Sequence, residues 1–176
     1  MRFLGVFCIA AGIALAQSAD REIPVVTVCD VLSDLAGYNG TSIILVGALV
    51  GSDEGGWIVA ECEKKLVTDG FTWPDSIAEA NVRAQDAHPP ALPGQLNWNN
   101  KLIAAKLHEL KRTTKFTRRD HARWVVMFGR METNVPPKTF IDPKGNLTGF
   151  GFGHLNGAPA QIMLPTDFRH AWRTLP

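Results

Sequence analysis

The chain has 176 residues, 45% of them hydrophobic, and its basic and acidic residues nearly balance at a formal net charge of +1. This length and apolar content fit one globular domain with a buried core and leave little chain for a second full domain. The near-zero charge provides no overall field for nucleic acid or an anionic membrane, so binding of either would require a local patch.

The N-terminus has the pattern of a secretory signal peptide. Arg2 precedes an apolar run from Phe3 to Leu15, and Ala14-Leu15-Ala16 has the A-x-A form of a cleavage site. We therefore predict that Met1–Ala16 is a signal peptide and that 17–176 is a single domain, either periplasmic or secreted. The apolar run is too short for a spanning helix, and nothing later in the chain approaches the roughly 20 continuous apolar residues that such a helix needs.

Cleavage would remove Cys8 and leave Cys29 and Cys62 in an oxidising compartment. Two exported cysteines predict one disulfide, which would close a loop of about 30 residues and contribute on the order of 3 to 4 kcal/mol. A reactive thiol or a metal ligand is the alternative. Neither cysteine lies in a C-x-x-C or a cysteine and histidine ligand spacing, which favours the disulfide.

The first predicted element of the mature chain is a short helix. Thr27 is a candidate N-cap with Asp30 three residues later, and Gly37 follows as a C-terminal stop. The apolar residues of the segment fall on one helical face: Val28, Val31, Leu32 and Leu35. We expect this helix to close one end of a barrel and to present Cys29 toward Cys62.

Two strands joined by a polar, glycine-rich turn are predicted between Tyr38 and Cys62. Ser42–Val50 is apolar on both alternating faces, as in a strand that is buried from two sides. Gly47 interrupts this strand. A glycine inside a buried strand is typical of a bulge or sharp bend, which lets one strand serve both halves of a small closed sheet.

The remaining elements follow in chain order. Lys65–Thr68 and Phe71–Trp73 flank Asp69-Gly70, a pair that favours a type I′ turn. Asp75–Arg83 is predicted as a brief helix and Ala84–Asn100 as a loop. The later elements are a helix capped by Asn99 or Asn100 with Leu102, Ile103, Leu107 and Leu110 on one face, a strand over His121–Glu132, a hairpin over Phe140–Leu155, a strand over Ala160–Leu164, and a terminal turn capped by Thr166 and carrying Phe168 and Trp172.

This pattern gives five or six strands, with a helix before the first and a loop and helix insertion at about 84–112. The predicted fold is mainly β with accessory helices, a small OB-like barrel. An open α+β sheet or a β-sandwich is the alternative, because strand pairing cannot be deduced from one sequence.

Several short motifs resemble those of exported bacterial proteins of uncharacterised activity, which open with VCxLL and YxGxxVxVxG. The matching segments are Val28-Cys29-Asp30-Val31-Leu32, Tyr38-Asn39-Gly40, Ile43–Gly47, Gly151–Leu155 and Pro159-Ala160-Gln161. They cover the start and end of the mature chain, and Thr41 stands where a lysine or arginine is common. The resemblance implies an OB-like barrel in a bacterial envelope or secreted setting, and it brings no activity with it.

Aromatic side chains supply the candidate binding residues. Trp57, Trp73 and Trp98 lie in predicted strands and loops, and Phe152 and His154 alternate with glycines in the run Gly149–Gly153. Alternation places these aromatic residues on one face and leaves the other bare, which suits close backbone packing or stacking of a flat ligand. The run lacks the spacing of a dinucleotide-binding motif, and no cofactor is predicted.

The sequence gives weaker support for metal binding, nucleic-acid binding and nucleophilic catalysis. The five histidines match no metal-ligand spacing, so no metal residues are predicted. The basic segment Lys111–Arg123, interrupted by Phe116, resembles a nucleic-acid surface but also fits a solvated helix end with cations at its C-terminus. No nucleophile motif is present.

We therefore expect an exported, non-enzymatic binding or envelope-associated domain whose partner is an envelope protein or an oligosaccharide. The alternatives are a metal-dependent hydrolase whose histidines meet in space and a single-stranded nucleic-acid binder, of which the latter is disfavoured by the charge.

Overall fold

The structure is a computed structural model that describes residues 22–52, 55–80, 88–116, 121–153 and 157–176. The predicted signal peptide lies outside these residues. The elements are β1 Val25–Thr27, α1 Val28–Ser33, α2 Leu35–Tyr38, β2 Ser42–Ser52, β3 Gly55–Val59, β4 Val67–Thr68, β5 Phe71–Thr72, β6 Ser76–Ala80, α3 Asn100–Thr113, β7 Arg123–Thr133, β8 Lys138–Ile141, β9 Leu147–Phe150, β10 Ala160–Met163, a 3₁₀ turn Phe168–His170 and β11 Trp172–Thr174.

Five strands form a closed barrel in the order β2-β3-β6-β10-β7, and β7 pairs back with β2. The β6–β10 pair is parallel and the other four pairs are antiparallel. Numbered along the chain, the barrel strands have the order 1-2-3-5-4-1, and the long helix α3 lies between the third and fourth. The predicted OB-like barrel is confirmed.

The barrel interior is filled by one alternating face of each strand and by helix α1. Ile43 and Leu45 of β2 share this cluster with Ile58, Ile77 and other apolar residues: Val125, Met127, Met131 and Ile162. Helix α1 closes one end, since its three buried residues Val28, Val31 and Leu32 belong to the same cluster. Burying apolar residues of every wall strand and of α1 in one cluster gives the barrel a single continuous core.

The mid-strand glycines have a steric explanation. A Cβ on Gly47 would lie 2.3 Å from Ile58 Cγ2, and one on Gly129 would lie 2.6 Å from Ile162 Cγ1. In both places an isoleucine of the neighbouring strand occupies the space that a side chain would need. The glycines therefore leave room for the isoleucine side chains of the neighbouring strands.

Helix α3 packs on the outer face of the barrel rather than inside it. Its buried residues Ile103, Leu107 and Leu110 contact the outward-facing residues of β2 and β7, which are Ile44, Val46, Val126 and Phe128. Leu102, which was predicted to face the core with them, is 39% exposed. Asn99 is the N-cap, and its side chain accepts a hydrogen bond from Leu102 N.

Two of the predicted boundaries were wrong. The segment predicted as a helix from Asp75 contains strand β6 at Ser76–Ala80, because β3 and β10 pair with it on either side; the rest of that segment lies outside the described residues. Gly37 does not end the first helix, since α1 ends at Ser33 and α2 runs through Gly37. Among the described residues, no helix is long and apolar enough to cross a bilayer.

Candidate functional site

The disulfide predicted between Cys29 and Cys62 is present, with a Cα–Cα distance of 5.4 Å. It joins α1 to the segment that follows β3, and Cys62 N donates a hydrogen bond of 2.8 Å to Asp75 Oδ2. Asp75 also forms an ion pair with Lys65. Both cysteines line a cavity of about 530 Å³. The disulfide therefore lies at the end of the barrel that α1 closes.

The outer face of β3 and β6 is the surface on which OB barrels bind oligonucleotides and oligosaccharides. Here Trp57 of β3 lies opposite Ala78 of β6, which lies opposite Gln161 of β10. Gly153 covers this row, because a Cβ there would lie 2.9 Å from Ala78 Cβ and 3.3 Å from Trp57 Nε1. The chain itself therefore occupies the centre of the face.

The glycine-rich run is held over this face by local pairing. Phe152 and Ala158 form an antiparallel bridge whose two backbone hydrogen bonds measure 2.7 and 3.0 Å. The structure thus brings the predicted residue Trp57 next to the glycine-rich run and its half-buried Phe152. His154, the other residue predicted in that run, lies outside the described residues.

Trp73 is not a surface residue. It is 1% exposed, its Nε1 donates a hydrogen bond of 3.2 Å to Thr68 Oγ1, and its ring contacts Phe71 edge to face at 5.1 Å. A Cβ on Gly149 would lie only 2.5 Å from two Trp73 ring carbons, so β9 rests directly on the indole. Burial removes Trp73 from the residues that could contact a ligand.

The β8–β9 hairpin carries an exposed aromatic face that the sequence analysis did not identify as a site. Phe140 is 44% exposed and Phe150 is 52% exposed, and their rings lie edge to face at 6.4 Å. The opposite face of the hairpin rests on the β4–β5 hairpin and on Trp73, through Gly149 and through the hydrogen bond of 2.8 Å from Thr139 Oγ1 to Asp69 Oδ2. The register explains this division. Phe140 lies opposite Thr148 and Phe150 lies opposite Lys138, and these pairs are on one face of the hairpin, whereas the Thr139–Gly149 pair is on the other.

Trp98 lies in a separate place, on the side of the barrel where β11 and the start of α3 meet. The Arg173 guanidinium carbon is 5.1 Å from the centre of its ring, within range of a cation–π interaction. Trp98 is half-buried against the apolar layer under α3. The three predicted tryptophans therefore occupy three different surroundings and do not form one site.

The histidines were predicted to match no metal site by spacing. His88, His108, His121 and His170 are all exposed. Across the described ranges, no group of three or more histidine, cysteine or acidic side chains is placed to hold a metal ion.

In the basic segment, Phe116 packs edge to face with Trp124 at 5.4 Å, and Lys111 Nζ donates a hydrogen bond of 2.6 Å to the carbonyl of Pro176. Lys111 and Arg112 lie in the last turn of α3, where cations are favourable. The four residues 117–120 of this segment lie outside the described residues.

The carboxyl group of Glu79, in strand β6, has a perturbed pKa. Burial raises the pKa of Glu79 above its ordinary value. Its Oε2 would lie 2.4 Å from a Cβ added at Gly56, so a larger residue at 56 would displace it. Residues 53–54 and 81–87, which follow β2 and β6 in the sequence, lie outside the described residues, so we assign Glu79 no chemical role.

Comparisons with protein-family models, with curated proteins and with solved structures give no match for this chain. The functional argument therefore rests on the arrangement of its own residues.

Proposed function

We propose that this protein is an exported, non-enzymatic binding module that docks onto a protein partner in the cell envelope through the exposed face of the β8–β9 hairpin. In this role the barrel is a rigid support and the hairpin is the contact element. Binding surfaces are often carried by such connecting segments on a rigid scaffold.

The distribution of exposed apolar side chains carries the proposal. Seven large hydrophobic residues of the described chain are exposed, and five of them lie between Val135 and Phe150. These five are Val135, Phe140, Ile141, Leu147 and Phe150. The register places Phe140 and Phe150 on one face of the hairpin and Ile141 and Leu147 on the other, so the two phenylalanine rings, which contact each other, form the docking face. Single exposed hydrophobic residues are ordinary, whereas exposed apolar side chains in mutual contact argue for an interaction surface.

The form of the hairpin favours an extended polypeptide as the occupant. In the described chain, β8 and β9 form a sheet of only two strands, so β8 has a ladder partner on one side. Its outer edge offers backbone groups to an added strand, and Phe140 would contact the side chains of that strand. Lys138 at the same edge is the kind of charge that limits pairing with unspecific partners.

Export has its own support. The Cys29–Cys62 disulfide is formed, and such bonds persist in oxidising compartments outside the cytoplasm. The N-terminal pattern of Arg2, an apolar run and Ala14-Leu15-Ala16 agrees with a secretory signal.

A site-specific photo-crosslinker tests the docking surface. The crosslinking residue would replace Phe140 or Phe150 in the full chain expressed in its source cells, and the matched control would carry it at Leu102, an exposed apolar residue on α3. We expect one protein to be captured from both hairpin positions and not from position 102, and its capture from Phe140 to fall at least about fivefold in a Phe150→Ser background, equivalent to about 1 kcal/mol.

Capture of the same proteins at equal yield from all three positions would mean that the hairpin binds no specific partner and would refute the proposal. Absence of any captured protein from both hairpin positions, with the protein correctly exported, would refute it as well.

A further inference from the structure

A large open cleft lies where the N-terminal end of α3, the segment before it and β11 meet, and neither the β8–β9 hairpin nor the β3–β6 face contributes to it. Its volume is about 1140 Å³, above the 300–1,000 Å³ typical of small-molecule pockets. The polar and aromatic residues of its lining are Glu22, Gln95, Asn97, Trp98, Asn100 and Arg173.

Arg173 is held in place at the wall of this cleft. One of its terminal nitrogens, Nη2, donates a hydrogen bond to Asn100 Oδ1, and the guanidinium lies over the Trp98 ring. Its Nε is shielded from solvent and has no acceptor among the described residues. The Arg173 side chain is already immobilised. Binding of a ligand to its remaining Nη donors would therefore cost little side-chain conformational entropy.

The other polar groups of the cleft are amides, which both donate and accept hydrogen bonds, and one carboxylate, which accepts them. Gln95 and Asn97 are exposed amides that each offer donors and an acceptor. Glu22 adds a carboxylate, and its Oε1 accepts a hydrogen bond of 3.1 Å from Asn99 Nδ2. One cation and one anion line the cleft, so it has no charge preference for a phosphate or a strongly ionic ligand.

We propose that this cleft binds an oligosaccharide. A pyranose presents hydroxyl groups that both donate and accept hydrogen bonds, which matches a wall of amides, a carboxylate and a fixed guanidinium. Its apolar C–H groups can pack against the accessible part of the half-buried Trp98 indole in the cleft wall. The volume admits more than one sugar ring, and the open form of the cleft suits a chain that continues beyond it. The proposal does not depend on the protein-docking function of the hairpin.

Nuclear magnetic resonance of the indole N–H signals tests the proposal site by site. The chain 17–176 would be titrated with chitotriose, cellotriose and maltotriose up to about 10 mM, a range that detects Kd values near 1 mM. We expect at least one sugar to give a saturable shift of the Trp98 signal, while the Trp57 signal remains unchanged.

Three variants distinguish a binding role from a structural one. Arg173→Lys keeps the charge but loses the planar fork, and Asn97→Leu removes an exposed amide for which no hydrogen bond is described; we expect each to raise Kd at least about fivefold. Arg169→Lys, at an exposed position in the 3₁₀ turn and not part of the cleft lining, is the matched control and should leave Kd unchanged.

A Trp57 shift without a Trp98 shift would place the sugar on the β3–β6 face and overturn the proposal. Failure of all three sugars to shift Trp98, or equal weakening by Arg169→Lys, would overturn it too.

Discussion

Helix α1 packs against the barrel and the β8–β9 hairpin packs against the β4–β5 hairpin and Trp73, and the apolar residues of the two regions differ in exposure. The three large apolar residues of α1, Val28, Val31 and Leu32, are 6% exposed or less. The hairpin buries only Gly149 among its strand residues and leaves Phe140 and Phe150 in solvent. The comparison indicates that α1 contributes to stability and the hairpin face to recognition, and the following variants test that division.

The largest effect is expected at the attachment of α1. Replacing Cys29 and Cys62 with serine opens a cross-link between residues 33 positions apart, which in the chain-entropy model lowers the free energy of unfolding by about 3 to 4 kcal/mol. Urea unfolding of the double variant measures this loss. The wild-type protein unfolded with a reductant present should match the variant, and a loss below about 1 kcal/mol would mean that α1 is held mainly by its apolar contacts.

The next effect is expected where the β8–β9 hairpin rests on Trp73. Gly149→Ala places a Cβ about 2.5 Å from the Trp73 ring, so either the hairpin or the indole must shift. We expect a loss of about 1 to 3 kcal/mol and a red-shifted Trp73 emission. Gly94→Ala is the control, since no atom lies within 4 Å of its Cβ position, and it should change stability by less than about 0.5 kcal/mol. Unchanged emission and stability in Gly149→Ala would contradict the close packing.

Helix α1 and strand β6 differed in how well the sequence predicted them. The Thr27–Asp30 capping box depends on four consecutive residues, and it was predicted correctly. Strand β6 was missed because Ala78-Glu79-Ala80 has a helical preference that pairing with β3 and β10 overrides.

The sites depend on contacts that are distant in sequence. Alternation in the hairpin predicted strands but could not indicate which face would meet Trp73, since Trp73 and Gly149 are far apart in the sequence. Trp98 and Arg173 are far apart in the chain, so no local sequence pattern predicts their contact.

A smaller effect is expected from the ion pair between α1 and α3. Burial by itself raises the pKa of Asp30, but hydrogen bonds from the Thr27 backbone, the Lys106 ammonium and the Thr27 hydroxyl outweigh it, so the net pKa lies below its ordinary value. A carboxyl with a lowered folded pKa stabilises the protein fully above its unfolded pKa of about 3.9, and that stabilisation is lost as the pH falls through the folded value.

Lys106→Met should therefore lower the free energy of unfolding by about 0.5 to 1 kcal/mol at pH 7, since both groups are partly exposed. The difference from wild type should begin to shrink below about pH 4 and shrink further as the pH falls through the folded pKa of Asp30, which is lower. Urea unfolding at both pH values measures it. Lys101→Met is the control, because Lys101 is exposed on the same helix with no ion pair in the described part of the chain. A loss that is the same at both pH values would mean that the methylene stem of Lys106, rather than its charge, is what matters.

The smallest effect on stability is expected from the residues that we propose as the contact surface. Phe140→Ala with Phe150→Ala removes two rings that contact each other but are about half exposed, so we expect a loss of no more than about 0.5 kcal/mol. Phe128→Ala is the matched control: this ring is 1% exposed, and its loss should lower the free energy of unfolding by about 3 to 5 kcal/mol. Urea unfolding compares the two variants, and the crosslinking assay reports binding in parallel. If the hairpin variant lost 2 kcal/mol or more, the two rings would be part of the packing and their exposure would no longer argue for a partner. If the hairpin variant kept its stability but no longer captured a partner, α1 would serve stability and the hairpin face recognition, as proposed. The two exposed aromatic side chains would then be explained by binding, because they contribute little to folding.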